Sequence, residues 1–301
     1  MAKSFHQRWS HKSIKNLKKI FKLALTTYLI FFIAGKITLA ESLPIIKNIK
    51  PVIILFIFLV QLLKLGLIGF LQNKIISFRN HTPTKPIEWF SLCVISSFLN
   101  LFIPFRGGAI FRLIYLKKNY KISNVNFAKS IVDQLKISLF ISFALALLFT
   151  IISPKLSLSF KALASTILII VILVFHYNRR LLKFFTILNM ETNLVVLLIT
   201  LLNSLEIYLG VGYILTDVTY FDCLLISPML LISSVLSLTP GNLGIREVII
   251  EQGFYALNLQ LEGVLTIAVI LRAIQSIQLL LLAPICFHLL SKYKPKAPTK
   301  E

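Results

Sequence analysis

Thr239-Pro240-Gly241-Asn242-Leu243-Gly244-Ile245-Arg246-Glu247 closes an apolar run, Leu224 to Leu238, whose composition belongs in lipid. The run breaks at a Pro-Gly pair and restarts at once with an Arg-Glu pair. Ser96 to Arg112, SSFLNLFIPFRGGAIFR, has the same order: a short apolar run, a proline, glycines, then arginines. Aligning Pro104 with Pro240 sets Ser97 over Ser233 and Gly108 over Gly244, while Ser96 faces Ile232. The two segments read as two copies of one broken membrane hairpin.

The composition puts these hairpins in a bilayer. Of 301 residues, 57% are hydrophobic and 14% charged, and mean hydropathy is +0.85. A soluble domain would be nearer a quarter charged. Apolar windows of membrane-spanning length recur along the chain, as in a polytopic helical membrane protein. No window alternates as a membrane β-barrel would. The net charge of +21 does not point to nucleic acid, because the lysines cluster beside apolar runs, where they orient the chain and touch anionic headgroups. Cys93, Cys223 and Cys286 stand alone in or beside apolar segments and read as packing residues.

Residues 1–22 form a basic leader with Lys3, Arg8, Lys12, Lys15, Lys18, Lys19 and Lys22. Phe21 to Leu39 is the first expected span. Its alternative is a cleaved signal peptide ending near Thr38-Leu39-Ala40, which the long leader and Lys36 disfavour. Pro51 to Leu71 is the second span, followed by a polar stretch from Gln72 to Lys85. Trp89 to Ile103, about 15 residues, reaches ~22 Å, short of the ~30 Å hydrocarbon core. Phe105 to Leu116 is shorter still, and together they fit a re-entrant hairpin. A basic loop, Lys117 to Lys129, precedes spans at Ile131 to Ile152 and Ala162 to His176. Tyr177 to Met190 is basic again. Leu194 to Leu215 spans, Phe221 to Thr239 with Gly241 to Leu257 forms the second hairpin, and Val264 to Leu290 is the last span.

The expected fold is therefore an all-α polytopic membrane protein. It has about six full transmembrane helices plus two re-entrant broken hairpins arranged as an inverted repeat. One membrane domain occupies 23–290, with halves at about 44–152 and 162–290, and a basic tail occupies 291–301. With each hairpin entering and leaving on one side, the leader, 72–85, 117–129, 177–190 and the tail all fall together. The opposite loops hold mixed charge: Glu41, Lys47, Lys50, Lys155, Lys161, Asp217, Asp222 and Glu262. That is the positive-inside pattern, with both termini cytoplasmic. Counting the hairpins as four full spans gives the same termini but sets the two breaks at opposite surfaces.

Two constellations could hold a ligand. The first is Pro104, Arg106, Gly107, Gly108 and Arg112; the second is Pro240, Gly241, Asn242, Gly244, Arg246 and Glu247, with Glu251 one turn further. A proline loses no hydrogen bond at a helix start, and glycine lets a ligand or backbone come close. Helix N-termini with arginines beside them suit phosphate. Each has a structural alternative: a kinked span whose arginines snorkel outward, or Arg246 bound to a carboxylate elsewhere. Glu247 and Glu251 share a face, where two carboxylates repel unless a cation or proton intervenes. Other charges in spans are Lys36, Lys64, Asp133, Lys136, Glu206 and Arg272. Such groups are costly in a bilayer and face a polar interior in pairs. Glu206 or Asp133 is expected to partner a hairpin arginine or Arg272, while Lys36 and Lys64 are expected to snorkel. No HExxH, Cys/His cluster, GxSxG or Walker loop occurs, so no enzyme, metal or cofactor is expected.

At two places the sequence resembles a known family, the transmembrane, flippase-like domain of lysylphosphatidylglycerol synthases. The first place is NLFIPFRGGAIFRLIYLKKNYKIS, followed by an apolar helix opening near SIVDQL. The second, and more specific, is SLTPGNLGIREVIIEQGFYALN, followed by AVILRAIQSI. The resemblance implies a prokaryotic inner-membrane protein that handles lipids. In two-domain members this region moves an aminoacylated phosphatidylglycerol across the bilayer; other relatives lie in glycolipid, hopanoid or cell-surface glycan pathways. Pro104, Arg106, Gly108 and Arg112 match the first motif, and Pro240, Gly241, Gly244, Arg246, Glu247 and Arg272 the second. Where the family usually shows an arginine after the first motif, this chain has Asp133-Gln134, so a different charge network is expected there. Synthesis of the lysyl-lipid is not expected of these residues.

The function expected is binding, and translocation, of an anionic phospholipid or polyprenyl-phosphate-linked glycolipid. Arg106, Arg246 and Arg272 would hold the phosphate, and Glu206 or Glu247 would balance charge or read an amine. Two rivals remain: a non-transporting membrane partner of a glycosyltransferase or lipid-modifying enzyme, and a small-solute transporter.

Overall fold

The computed structural model describes residues 47, 49–80, 85–102, 107–177, 190–212, 218–236, 242, 244–257, 259 and 263–292, with the side chains of 79–80, 170–177 and 232–236 left aside. The leader, the Phe21 to Leu39 span, Pro104, Arg106, Pro240, Gly241 and the residues after Lys292 lie outside the described residues. Those described are helical and contain no strand. In chain order the helices are α1 (Pro51–Asn80), α2 (Pro86–Phe102), α3 (Gly107–Tyr120), α4 (Asn124–Ile152), α5 (Leu158–Tyr177), α6 (Met190–Ile207, prolonged by a π-helical turn, Tyr208–Gly212), α7 (Tyr220–Leu236), α8 (Ile245–Ala256) and α9 (Val264–Lys292).

Local chemistry sets many of these limits. Pro51 and Pro86 stand at the first position of α1 and α2, where a missing N–H removes no helical bond. The Ser123 hydroxyl accepts from the Asn126 N–H at 3.2 Å and caps α4. Pro154 follows its end, where a proline disfavours a helical predecessor. Lys121, at φ 55°, turns the chain out of α3 through the left-handed region.

Two expected limits are corrected. The stretch from Gln72 is not a loop: α1 continues to Asn80, because no glycine or proline interrupts it and Ile75 and Ile76 are buried. The basic loop after Lys117 shrinks to residues 121–123, since α3 runs to Tyr120 and α4 begins at Asn124, seven residues before the expected Ile131.

Four helices are long and apolar enough to cross a bilayer: Pro51–Phe78, Asn124–Ile152, Met190–Gly212 and Val264–Lys292. They fall on four of the expected spans. Pro86–Phe102, Leu158–Ile169 and Tyr220–Leu231 are shorter apolar stretches. On α1, Val52, Leu55, Phe56, Leu59 and Leu63 are exposed while Ile53, Ile57, Val60, Gln61 and Lys64 are buried. An exposed apolar face beside a buried polar one suits a hydrocarbon surround rather than water.

The shorter helices form two antiparallel pairs. α2 and α3 meet near Glu88, whose carboxylate accepts from the Tyr115 and Tyr120 hydroxyls at 2.9 and 2.5 Å. α7 and α8 meet where Ile226 lies against Gly253. Packing between the halves is exchanged. α2 lies most extensively on α9, the last helix of the other half, and α7 likewise lies on α4. α1 and α6 pack on each other between them.

The interior is layered along the helix axes. One apolar cluster holds Ile53, Ile57, Ile207, Val211, Ile226, Ile250, Phe254, Ile267 and Leu271 at the end where Lys155 meets Asp222 at 2.7 Å. Another holds Leu65, Ile76, Trp89, Leu92, Phe127, Leu279 and Leu290 at the end where Lys74 meets Glu191 at 2.6 Å. Between them α1, α6 and α9 turn polar, with Gln61, Lys64, Asn203, Ser204, Glu206 and Gln278 all buried. Cys93, Cys223 and Cys286 are buried free thiols, as expected of packing residues.

Candidate functional site

Glu206 is the centre of the polar layer. It is wholly buried, and its carboxylate collects donors from three directions. Arg246 of α8 gives an Nη2–H to Oε1 at 2.7 Å. Gln61 of α1 gives an Nε2–H to the same oxygen at 3.0 Å. Lys64, one turn along α1, places its ammonium on Oε2. Gln61 also donates to the Leu271 carbonyl at 3.1 Å, tying α1 to α9. Residues three apart share a helix face, so Gln61 and Lys64 reach the acid together.

Gln275 of α9 extends the network. Its Oε1 accepts from Arg272 at 2.7 Å and from Arg246 at 3.3 Å, so two guanidinium groups converge on one amide oxygen. Lys64 lies 13 residues from Pro51 and 16 from Asn80, in the middle of α1. Breaking such a buried ion pair costs about 3–5 kcal/mol, because the survivor is left charged and unsolvated. Arg272 is half-buried and the Arg246 side chain 13% exposed, so the cations keep an accessible edge that Glu206 lacks.

The neighbouring α8 terminus is capped by its own chain. Gly244 has φ 84°, a conformation that favours glycine, and its N–H donates to Glu247 Oε2 at 2.8 Å. The other Glu247 oxygen is buried without a hydrogen bond among the described residues. Asn242, at φ 59°, takes the left-handed turn that asparagine tolerates. Glu251 lies half-buried one turn along the same face.

The first constellation is built differently. A Cβ on Gly108 would sit 1.9 Å from the Ser96 carbonyl oxygen, so only glycine lets α3 start against α2. The Gly108 N–H donates to Asn100 Oδ1 at 2.9 Å. The Arg112 Nε–H donates to the Ser96 hydroxyl at 3.3 Å. Gly107 is buried beside them at the first position of α3.

The sequence-derived residues thus separate into two groups. Glu206, Arg246 and Arg272 come together, with Glu247 at the adjoining helix start. Gly107, Gly108 and Arg112 gather around Ser96 and Asn100 within their own hairpin. Asp133 is half-buried in the third turn of α4; among the described residues, Glu206 meets the hairpin arginine Arg246. Lys64 corrects an expectation: it is 6% exposed and ion-paired, so it does not snorkel. Gln61, Gln275 and Glu88 were also missed. Polar residues spaced three apart within apolar runs, Gln61 with Lys64 and Arg272 with Gln275, were the signal for the first two.

These features define a multi-pass helical membrane protein with a charged network buried between two apolar layers. Residues 19–283 match the family described as the lysylphosphatidylglycerol synthase TM region, and the chain belongs to that family. Among curated proteins none matches the chain.

Proposed function

We propose that this protein binds the headgroup of an anionic phospholipid or a polyprenyl-phosphate-linked glycolipid in the polar layer and helps it cross the cytoplasmic membrane. One observation carries the reading: Lys64, Arg246 and Arg272 stand at the same depth as the buried Glu206. These three cations gather around one acid, with Glu247 and Glu251 on the adjoining face of α8. A phosphate taken through hydrocarbon alone would lose several kcal/mol of solvation, and pre-placed guanidinium groups lower that cost. Family membership supports a lipid as the cargo.

In this reading the end bearing Lys74, Lys85, Lys117, Lys118, Lys121 and Lys292 is cytoplasmic, by the positive-inside rule. The hairpins α2–α3 and α7–α8 are re-entrant and enter from opposite faces, and the exchanged packing of the two halves supports an inverted repeat. Pro104, Arg106, Gly107, Gly108 and Arg112 would serve the headgroup from one side; Pro240, Gly241, Asn242, Gly244, Arg246, Glu247 and Arg272 from the other. Asp133, Glu206 and Glu251 would balance charge.

The test is crossing of a fluorescent anionic lipid in proteoliposomes. Arg246→Gln or Arg106→Gln is expected to slow crossing at least about ten-fold, the loss of one charge-assisted contact. Unchanged crossing in both variants rules the reading out. A second reading draws on the ion pair itself. Arg246 already holds Glu206, as a purely structural arginine would. The protein would then be a non-transporting partner that positions a glycosyltransferase or lipid-modifying enzyme. That reading expects a stable enzyme in pull-downs and motif arginines that matter only for folding.

A further inference from the structure

Resting on the lipid reading above, we propose that Lys64 is a specificity-determining residue. Its ammonium group occupies the place on Glu206 that a headgroup amine would take, so the site accepts an anionic headgroup and turns away an aminoacylated, cationic one.

The description of the family raises the question, because lysylphosphatidylglycerol carries amines beside its phosphate. A buried carboxylate is the natural receptor for such an amine. Here the best-placed carboxylate is taken. Glu206 Oε1 holds Arg246 and Gln61, and Oε2 holds Lys64. A carboxylate offers about four lone-pair sites; three are filled by donors from α1 and α8, and no part of the residue is exposed. The donor on Oε2 is itself a primary ammonium on a flexible stem, the same chemical group as a lysyl side chain.

The second acid at this level has one oxygen that accepts no hydrogen bond among the described residues, and it is closed to an incoming group by burial rather than by donors. One Glu247 oxygen is held by the Gly244 N–H, and the residue is 1% exposed. The groups that reach accessible edges are Arg246 and Arg272. An incoming phosphate therefore meets cations first. An incoming ammonium meets like charge from Arg246, Arg272 and Lys64 and finds no free oxygen on Glu206. Specificity of this kind comes as much from repulsion of the wrong ligand as from attraction of the right one.

Lys64→Met separates the two effects. It keeps the apolar stem and removes the ammonium. Glu206 retains Arg246 and Gln61, so the carboxylate stays compensated and the fold is expected to survive. Lys64→Arg keeps the cation and serves as the conservative control.

The full chain, in phosphatidylcholine nanodiscs, is titrated with phosphatidylglycerol and with lysylphosphatidylglycerol of the same acyl chains. The wild-type protein is expected to favour phosphatidylglycerol by about ten-fold or more. Lys64→Met is expected to bring the two within about three-fold by tightening the lysyl-lipid, and Lys64→Arg to keep the preference. Equal binding of both lipids by the wild type overturns the proposal, and so does an unchanged ratio in folded Lys64→Met, which would place amine reading at Glu247 or Glu251. If Lys64→Met does not fold, Lys64→Gln is measured against the same criteria, and the wild-type ratio remains decisive. Binding of neither lipid overturns the lipid reading itself.

Discussion

The two hairpins begin with helices of equal length, 17 residues in both α2 and α7, yet they are held by different means. The polar contacts of the first close within the hairpin itself, although α2 packs most extensively on α9. Gly108 lies on the Ser96 carbonyl, Asn100 takes the Gly108 N–H, Arg112 reaches the Ser96 hydroxyl, and Glu88 collects two tyrosines of α3. The second is tied outward. Arg246 leaves α8 for Glu206 of α6 and Gln275 of α9, and Lys64 of α1 joins the same acid. One hairpin behaves as a prefabricated unit. The other is a junction through which four helices feel one another, and a change there spreads across the bundle.

The sharpest way to break this contrast is Glu206→Ala. It leaves Lys64 and Arg246 buried without their acid, and a loss of about 3–5 kcal/mol is expected. Thermal unfolding in detergent should show the whole bundle giving way at once; a small loss would mean the junction is not central. Gly108→Ala comes next, at ~1–3 kcal/mol, because the new methyl must push α3 off the α2 backbone. Its effect should stay local. In a Trp9→Phe background, Trp89 fluorescence should report a disturbed first hairpin, while crosslinking between cysteines placed on α6 and α8 stays as in the wild type. The weakest is Lys74→Ala, which removes an ion pair whose side chains are 41% and 59% exposed. A change below ~1 kcal/mol is expected, and a larger one would show that the end of the bundle carries more than a surface contact.

Much of this arrangement was legible in the sequence. A proline and glycines between two apolar runs too short to span marks a broken helix, and both hairpins follow from that. An acid inside an apolar run needs a partner, so Glu206 or Asp133 could be matched with a hairpin arginine or Arg272 without knowing which. Lys64 was not legible in the same way. A single lysine in an apolar run has the composition of a snorkelling residue, and only contact with an acid 142 positions later gives it a role. The continuation of α1 to Asn80 was there to be read: polar residues from Gln72 onward suggested a loop, but no breaker occurs before Pro83 and Ile75 and Ile76 keep a helical face. Glu88 was hidden because its two tyrosines, Tyr115 and Tyr120, lie on another helix.

The exchange of packing partners has a consequence for how the nascent protein is put together. α2 begins at residue 86, and the helix it lies against most extensively begins at 264, 178 residues later. At ~5–20 residues per second, the ribosome needs roughly ten to thirty-five seconds to supply it. During that interval the side of α2 that will meet α9 is uncovered in the membrane. The first hairpin, stitched by its own hydrogen bonds, is the element suited to endure that wait, and the one that ties the halves together is made last.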